Sequence, residues 1–446
     1  MTLPAEQRHP NFLGWRVVAG GFVALLVAGG IGMFSFSVFV IPFEETFGWS
    51  RTAVSGAAAL WAVVFGFSGP LVGACVERYG ARGTMLGGAA IAGLTYWLMA
   101  LVSHLAAFYL LMAISGAGTA ACTTVPVQTV VSHWFRRFRG RALGVALLGF
   151  GFGGLVTPPL ANAIVVRFDW QTAFHVGAAL MWLVVMPAIG WSIRTRPSDV
   201  GQFPDGLSLP DHESNLHHLH TGLTLRAAAR TASFWQLFAI QSLFLFGSAA
   251  LSLHFIAWAD DQGIPSQRAA NVLGLAVGMS IVSRILFGWL GDRWNPGRLL
   301  AATAASMAAA VALVILEGSH WGPTLGGFAV LYGLGMGGIG VLLPIVVGQC
   351  FGTRHFGRIM GAVLSGFAPG AILGPLAAGI VRDRSGSYEV ALALCGAAFL
   401  LCALAALAIR FPYEDAACSR TVGYCALYPR ATPGPDLHEK TTKAPR

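Results

Sequence analysis

Charge is scarce in this sequence. Only 11% of its 446 residues are Asp, Glu, Lys or Arg, against about 25% in an ordinary soluble domain. With 55% hydrophobic residues and a mean hydropathy of +0.67, it lacks the polar groups to cover a fold in water. Lysine is nearly missing, Lys440 and Lys443 being the only two. Arginine carries most of the positive charge behind the net +9. It sits in short loops between apolar runs and forms no stripe, which argues against a nucleic-acid partner. The seven cysteines fall at irregular spacings without a CxxC pair, so they read as small packing residues, with no metal site among them. There is no GxxxxGK[ST] loop, no HExxH and no GxSxG. Those absences exclude an ATP-driven motor and make a membrane protease or hydrolase unexpected. No enzyme activity, cofactor or metal is therefore expected. Gly149-x-Gly151-x-x-Gly154 and Gly333-x-Gly335-x-x-Gly338 spell a dinucleotide fingerprint, yet they lie in apolar runs with no preceding strand. Close helix packing explains them. No cleavable signal peptide is expected either, because the first apolar run, Trp15 to Ile41, is too long for one.

Long apolar runs are abundant. A membrane-crossing helix needs roughly 17–25 mostly apolar residues. Twelve such runs are expected at 15–41, 53–75, 84–103, 106–131, 142–165, 170–193, 234–257, 269–290, 299–316, 322–349, 358–381 and 389–410. The runs are continuous, without strict alternation, so an all-α membrane protein is expected in place of a barrel. With a cytoplasmic N-terminus, 22 of the 28 basic residues fall on the inner side, as the positive-inside rule requires. Both termini are then cytoplasmic. The expected organisation is a cytoplasmic segment 1–14, a six-helix bundle 15–193, a cytoplasmic linker 194–233, a second bundle 234–410 and a disordered tail 411–446. The linker's histidines, from His212 to His220, lack helical spacing and read as a solvated loop.

The halves echo each other. At a shift of 217 residues, Gly140-Arg141 falls on Gly357-Arg358, Gly144 on Gly361, Gly149-Phe150 on Gly366-Phe367, Gly153 on Gly370 and Pro158 on Pro375. At a shift of 215, Gly73-x-x-x-Glu77-Arg78 falls on Gly288-x-x-x-Asp292-Arg293. Duplicated bundles rocking about a central site are how many carriers achieve alternating access.

Gly73-x-x-x-Glu77-Arg78-Tyr79-Gly80-Ala81-Arg82 resembles the loop signature of the major facilitator superfamily, with Glu where Asp is usual. The resemblance covers roughly residues 12–410 and implies two pseudo-symmetric six-helix bundles. Trp134-Phe135-Arg136-Arg137-Phe138-Arg139-Gly140-Arg141 and the glycine-rich run after it are similar to the signature of the monocarboxylate transporters. The oxalate/formate exchangers share that look. From the repeat and the signature, Gly73, Glu77, Arg78, Gly288, Asp292 and Arg293 are expected to form a cytoplasmic latch. The small residues would allow close helix approach, and the acid–arginine pairs would bond across helices in one conformation only.

Arg284 is the one ionisable Asp, Glu, Lys or Arg well inside a run. Burying an arginine at mid-membrane costs roughly 2.5–3.5 kcal/mol, and no acid lies in a run to neutralise it. It stands eight residues before Asp292, about 12 Å along a helix, too far for easy snorkelling. A guanidinium matches a carboxylate bidentately, so Arg284 is the expected substrate-binding residue, with Tyr332 and Gln128 as further lining candidates. The transporters it resembles have an arginine in this span, usually with an Asp four residues earlier, where this chain has Ser280. His254 is then the candidate for proton coupling. The expected function is secondary active transport of a small organic anion, a monocarboxylate first, coupled to protons or driven by exchange. A carrier for a drug or neutral metabolite is the alternative, and a non-transporting receptor or scaffold a third. The expected partners are the solute and the lipid bilayer, with the chain acting as a monomer. High Ala, Gly and Arg content suggests a bacterial inner membrane.

Overall fold

A computed structural model describes residues 11–206, 222–316 and 321–411. Among them there is no strand, only an isolated bridge between Gly222 and Gly352. The helices that organise the chain are α1 Gly14–Phe34, α2 Arg51–Phe67, α3 Gly69–Met99, α4 Leu105–Trp134, α5 Arg139–Arg167, α6 Trp170–Ser192, α7 Ala232–Asp261, α8 Ser266–Gly291, α9 Pro296–Leu316, α10 Pro323–Phe351, α11 Phe356–Ser385 and α12 Glu389–Leu407. Ten are individually long and apolar enough to cross a membrane, and the α2–α3 pair, bent by 47°, passes the same test together. Gly80 breaks α3 at φ 76 and ψ 158, a backbone conformation that a β-carbon disfavours. With the segments on either side of that break taken as separate spans, the count is the twelve expected. The rim Gly80 occupies is the expected loop between the second and third runs.

Helices form here because each apolar run must satisfy its own backbone hydrogen bonds in hydrocarbon. They deviate where proline or a functional bend intrudes. Leu25–Gly29 in α1 and Met181–Val185 in α6 are π-helical turns, Pro158 and Pro159 lie inside α5, and Pro344 inside α10. In α4 the chain leaves helical geometry at Thr123.

Glycine sets how closely the two halves meet. A β-carbon on Gly140 of α5 would run into the carbonyl of Gly288 in α8, and one on Gly73 of α3 would run into that of Gly357 in α11. The two sequence echoes thus pack crosswise, each against the other kind in the opposite half. Further along the same seams, Gly144 abuts the Arg284 carbonyl and Gly69 that of Gly361.

Both ends of the described chain lie at one rim, which also carries most of the arginines. Leu13 donates its N–H to Gln202 Oε1 at 3.1 Å, and Ser233 Oγ donates to the Arg410 carbonyl at 2.8 Å. The expected linker is anchored at both ends. Thr195 Oγ1 accepts the Ala81 N–H at 2.9 Å, Trp134 Nε1 donates to the Arg194 carbonyl, and Asp205 accepts the N–H groups of Arg136, Arg137 and Phe138. On the other side Leu223 N–H donates to the Phe351 carbonyl at 2.9 Å. The histidines between His212 and His220, and the tail beyond Phe411, lie outside the described residues.

Candidate functional site

Arg284 sits at the seam between the bundles. Its Nη1 donates to Ser280 Oγ, 3.1 Å away and one turn back on α8, and Ser280 Oγ in turn donates to the Val277 carbonyl at 2.7 Å. Across the seam is Gly151 of α5, where a β-carbon would come within 2.8 Å of Arg284 Nη1. The guanidinium is only half-buried and, among the described residues, meets no carboxylate. On its far side α8 is pinned to α10, where Ser283 Oγ donates to the Leu334 carbonyl and Gly337 meets the Ser280 backbone. The fork is thus held on a rigid helix with one hydroxyl partner and most of its donors uncommitted.

The structure does not bring the other lining candidates into hydrogen-bond contact with Arg284. Tyr332 is 3% exposed, stacks on Phe328 with ring centroids 5.3 Å apart and packs near Phe399, inside the C-terminal bundle. Its hydroxyl is buried without a partner, as is the Oε1 of Gln128. His254 is engaged at the other rim. Its Nδ1 lies 3.3 Å from the Tyr388 hydroxyl and its Nε2 3.1 Å from the Pro375 carbonyl, which ties α7 to α11 and to the residue before α12. A small apolar cavity of about 60 Å³ lies within the N-terminal bundle among Phe36, Trp61, Tyr96, Met112 and Phe174, away from Arg284.

The arginine-rich rim holds the expected latch residues, paired differently from the expectation. Asp292, just past the end of α8, accepts the Gly140 N–H at 2.5 Å and the Arg141 N–H at 3.2 Å, at the start of α5. The Arg141 Nε lies 3.5 Å from the carboxylate, a contact without hydrogen-bond alignment. Glu77 pairs with Arg358 at 2.8 Å and with His355 Nδ1 at 3.3 Å, both at the start of α11. A carboxylate at a helix N-terminus is favoured by the N–H dipoles gathered there. The partners are therefore Arg141 and Arg358, which the 217-residue echo makes equivalent. Arg78 and Arg293 instead lie over the rings of Tyr79 and Trp289, at 5.2 and 3.8 Å. The longer Glu77 passes the helix-start amides and reaches side chains, whereas Asp292 takes the amides. Burial pushes the Asp292 carboxyl up to about 6, against the two N–H donors and Arg141, which hold it down.

His133, unmarked in the sequence, also stands at this rim. Its ring lies between the carbonyls of Thr195 and Thr353, in opposite halves of the chain. A polar cavity of about 280 Å³ adjoins it, lined in part by Glu77, Thr129, Arg196, Asp199 and Arg354. No group of three or more potential metal ligands occurs among the described residues.

The sequence profile of the Major Facilitator Superfamily matches residues 20–343 and 272–422. Among curated proteins, monocarboxylate transporter 13 of Rattus norvegicus is 27% identical over 394 residues, covering 87% of this chain and 86% of its own. Monocarboxylate transporter 11 of Homo sapiens is 28% identical over 396 residues, with 87% and 81% covered. Among solved structures, the transporter FucP in its outward conformation superposes with a TM-score of 0.65 at 15% identity, covering 88% of this chain and 97% of that one.

Proposed function

Because the chain belongs to the Major Facilitator Superfamily, and is thus a multi-pass membrane transporter, we propose that its cargo is a small organic anion, a monocarboxylate, moved by alternating access. The observation that carries this reading is Arg284. It is a cation held between the bundles, with a serine as its hydrogen-bond partner and no carboxylate to neutralise it. Desolvating it costs free energy that a bound carboxylate offsets through two parallel N–H···O bonds. A single fixed cation suits a monoanion better than a dianion. The relatives named monocarboxylate transporters support the same class of cargo.

In this reading, the close glycine seams and the crosswise pairs Glu77–Arg358 and Asp292–Arg141 hold the arginine-rich rim shut. Rocking of one bundle against the other parts them and exposes Arg284 to that side. The positive-inside rule puts this rim in the cytoplasm, with the protein in a bacterial inner membrane as a monomer. Tyr332 and Gln128 stay candidate lining groups, their unpartnered polar atoms free to take a hydrogen bond when the helices move.

Uptake of labelled lactate, pyruvate and oxalate into proteoliposomes tests the proposal, with wild type beside Arg284→Ala. Saturable uptake of a monocarboxylate by wild type and its loss in the variant is expected. Equal uptake by the two proteins, or transport of neutral compounds alone, overturns it.

A further inference from the structure

His133 lies at the C-terminal end of α4, where the halves of the chain meet. Nδ1 is 3.3 Å from the carbonyl oxygen of Thr195, in the segment leaving α6, and Nε2 is 3.2 Å from that of Thr353, in the turn before α11. The Thr353 oxygen also accepts a longer bond from the Phe356 N–H at 3.4 Å. Both oxygens can only accept. A neutral imidazole has one N–H, so it donates to one carbonyl and turns a lone pair on the other. An imidazolium has two N–H groups and satisfies both. Hydrogen bonding to the charged form favours that form, so the ring holds a proton best when both carbonyls are in place. Thr353 moves with the C-terminal bundle, and parting the rim removes it.

We propose that His133 is a proton-binding site linked to the transport cycle: closing the arginine-rich rim takes one proton onto the ring, and opening it releases that proton. The proton comes from water at this rim, through the adjoining polar cavity of about 280 Å³. It adds to the ring lone pair and returns to the same water, so no other reactant is needed. The charged groups around the ring act in both directions. Arg139 at the start of α5 and Arg196 oppose the added charge, as does Arg354 across the cavity. Glu77 of α3 and Asp199, which line the same cavity, favour it. Glu77 is itself engaged by Arg358 and His355. The inference rests on the rocking-bundle reading and is independent of which solute is carried.

The test uses the full chain in lipid nanodiscs without solute, with one spin label on each bundle at the arginine-rich rim. Distance distributions are recorded from about pH 5 to about pH 8, the range in which an imidazole titrates. The closed-to-open ratio of wild type is expected to fall as pH rises, at up to about tenfold per unit for one linked proton. His133→Gln and His133→Asn each keep a single amide donor group and are expected to lose that slope, while His355→Gln keeps it. Two such variants, each checked for monodispersity, guard against a folding failure of one. A flat wild-type profile, or the wild-type slope in either His133 variant, overturns the proposal. Since no solute is present, a failure here leaves the Arg284 reading untouched, and a failure of anion uptake leaves this one.

Discussion

Removing the Glu77–Arg358 pair by a double-mutant cycle reads the strength of the rim directly. The two side chains meet at 2.8 Å, with Glu77 18% and Arg358 45% exposed. A fully exposed pair is worth about 0.2–1 kcal/mol, and breaking a buried one costs about 3–5 kcal/mol. This half-buried geometry falls between them, and His355 remains to hold part of the Glu77 charge. A coupling of about 1–2 kcal/mol follows, a shift of roughly 5- to 30-fold in the closed-to-open ratio. The assay is the same pair of spin labels across the rim, at fixed pH, in wild type, Glu77→Gln, Arg358→Gln and the double variant. Each single variant should open the rim, and the double should open it by less than the sum of the two. Strict additivity, or no opening in either single variant, would refute the idea that this pair closes the rim.

Other consequences follow from the same geometry. Gly140→Leu puts a side chain into the Gly288 carbonyl, so it should hold the rim open and raise the labelling rate of a cysteine at Gly288 severalfold. Labelling no faster than in the Gly140 protein would contradict this. Ser280→Asp puts a carboxylate where Arg284 finds its hydroxyl partner. An attraction of up to about 4 kcal/mol at an effective dielectric of 20 and 4 Å should reduce monocarboxylate uptake by at least about tenfold, measured as initial rates at low solute. Asp292 supplies a pH dependence of its own. Its carboxyl is raised to about 6 in the closed rim from the usual value near 4. That contact is therefore strongest below about pH 4 and weakens as pH rises through about 6. Asp292→Asn should remove this lower part of the rim's pH response and leave any part above it.

The twelve apolar runs and the repeat were legible because membrane insertion demands long, continuous hydrophobicity and the duplication left glycines at matching offsets. The break at Gly80 was legible only as a loop between two runs. That Arg51–Phe67 and Gly69–Met99 join across a 47° bend was not. The pairing at the rim was misjudged for a physical reason. Adjacency in sequence suggested Glu77 with Arg78 and Asp292 with Arg293, yet neighbours on one helix point different ways, and each acid finds the first turn of a helix in the other half. The signal was present in the Gly140-Arg141 and Gly357-Arg358 echo, which places an arginine beside the glycine that permits the close approach. Arg284 stood out because a cation in an apolar run has few explanations. Tyr332, Gln128 and His254 did not separate from packing residues, since one sequence does not fix which way a helix faces. His133 gave no signal at all, because its partners are backbone carbonyls that any residue supplies.

The central claim is that Arg284 reads a negative charge on the cargo. Competition binding of labelled lactate to the purified protein in nanodiscs, against unlabelled lactate and its neutral amide, tests it most directly. The account predicts that lactate displaces the label, that lactamide is at least about tenfold weaker for want of a charge-assisted bidentate contact worth about 1.5–3 kcal/mol, and that Arg284→Gln abolishes the difference. Equal competition by lactamide, or an unchanged preference in Arg284→Gln, would contradict it.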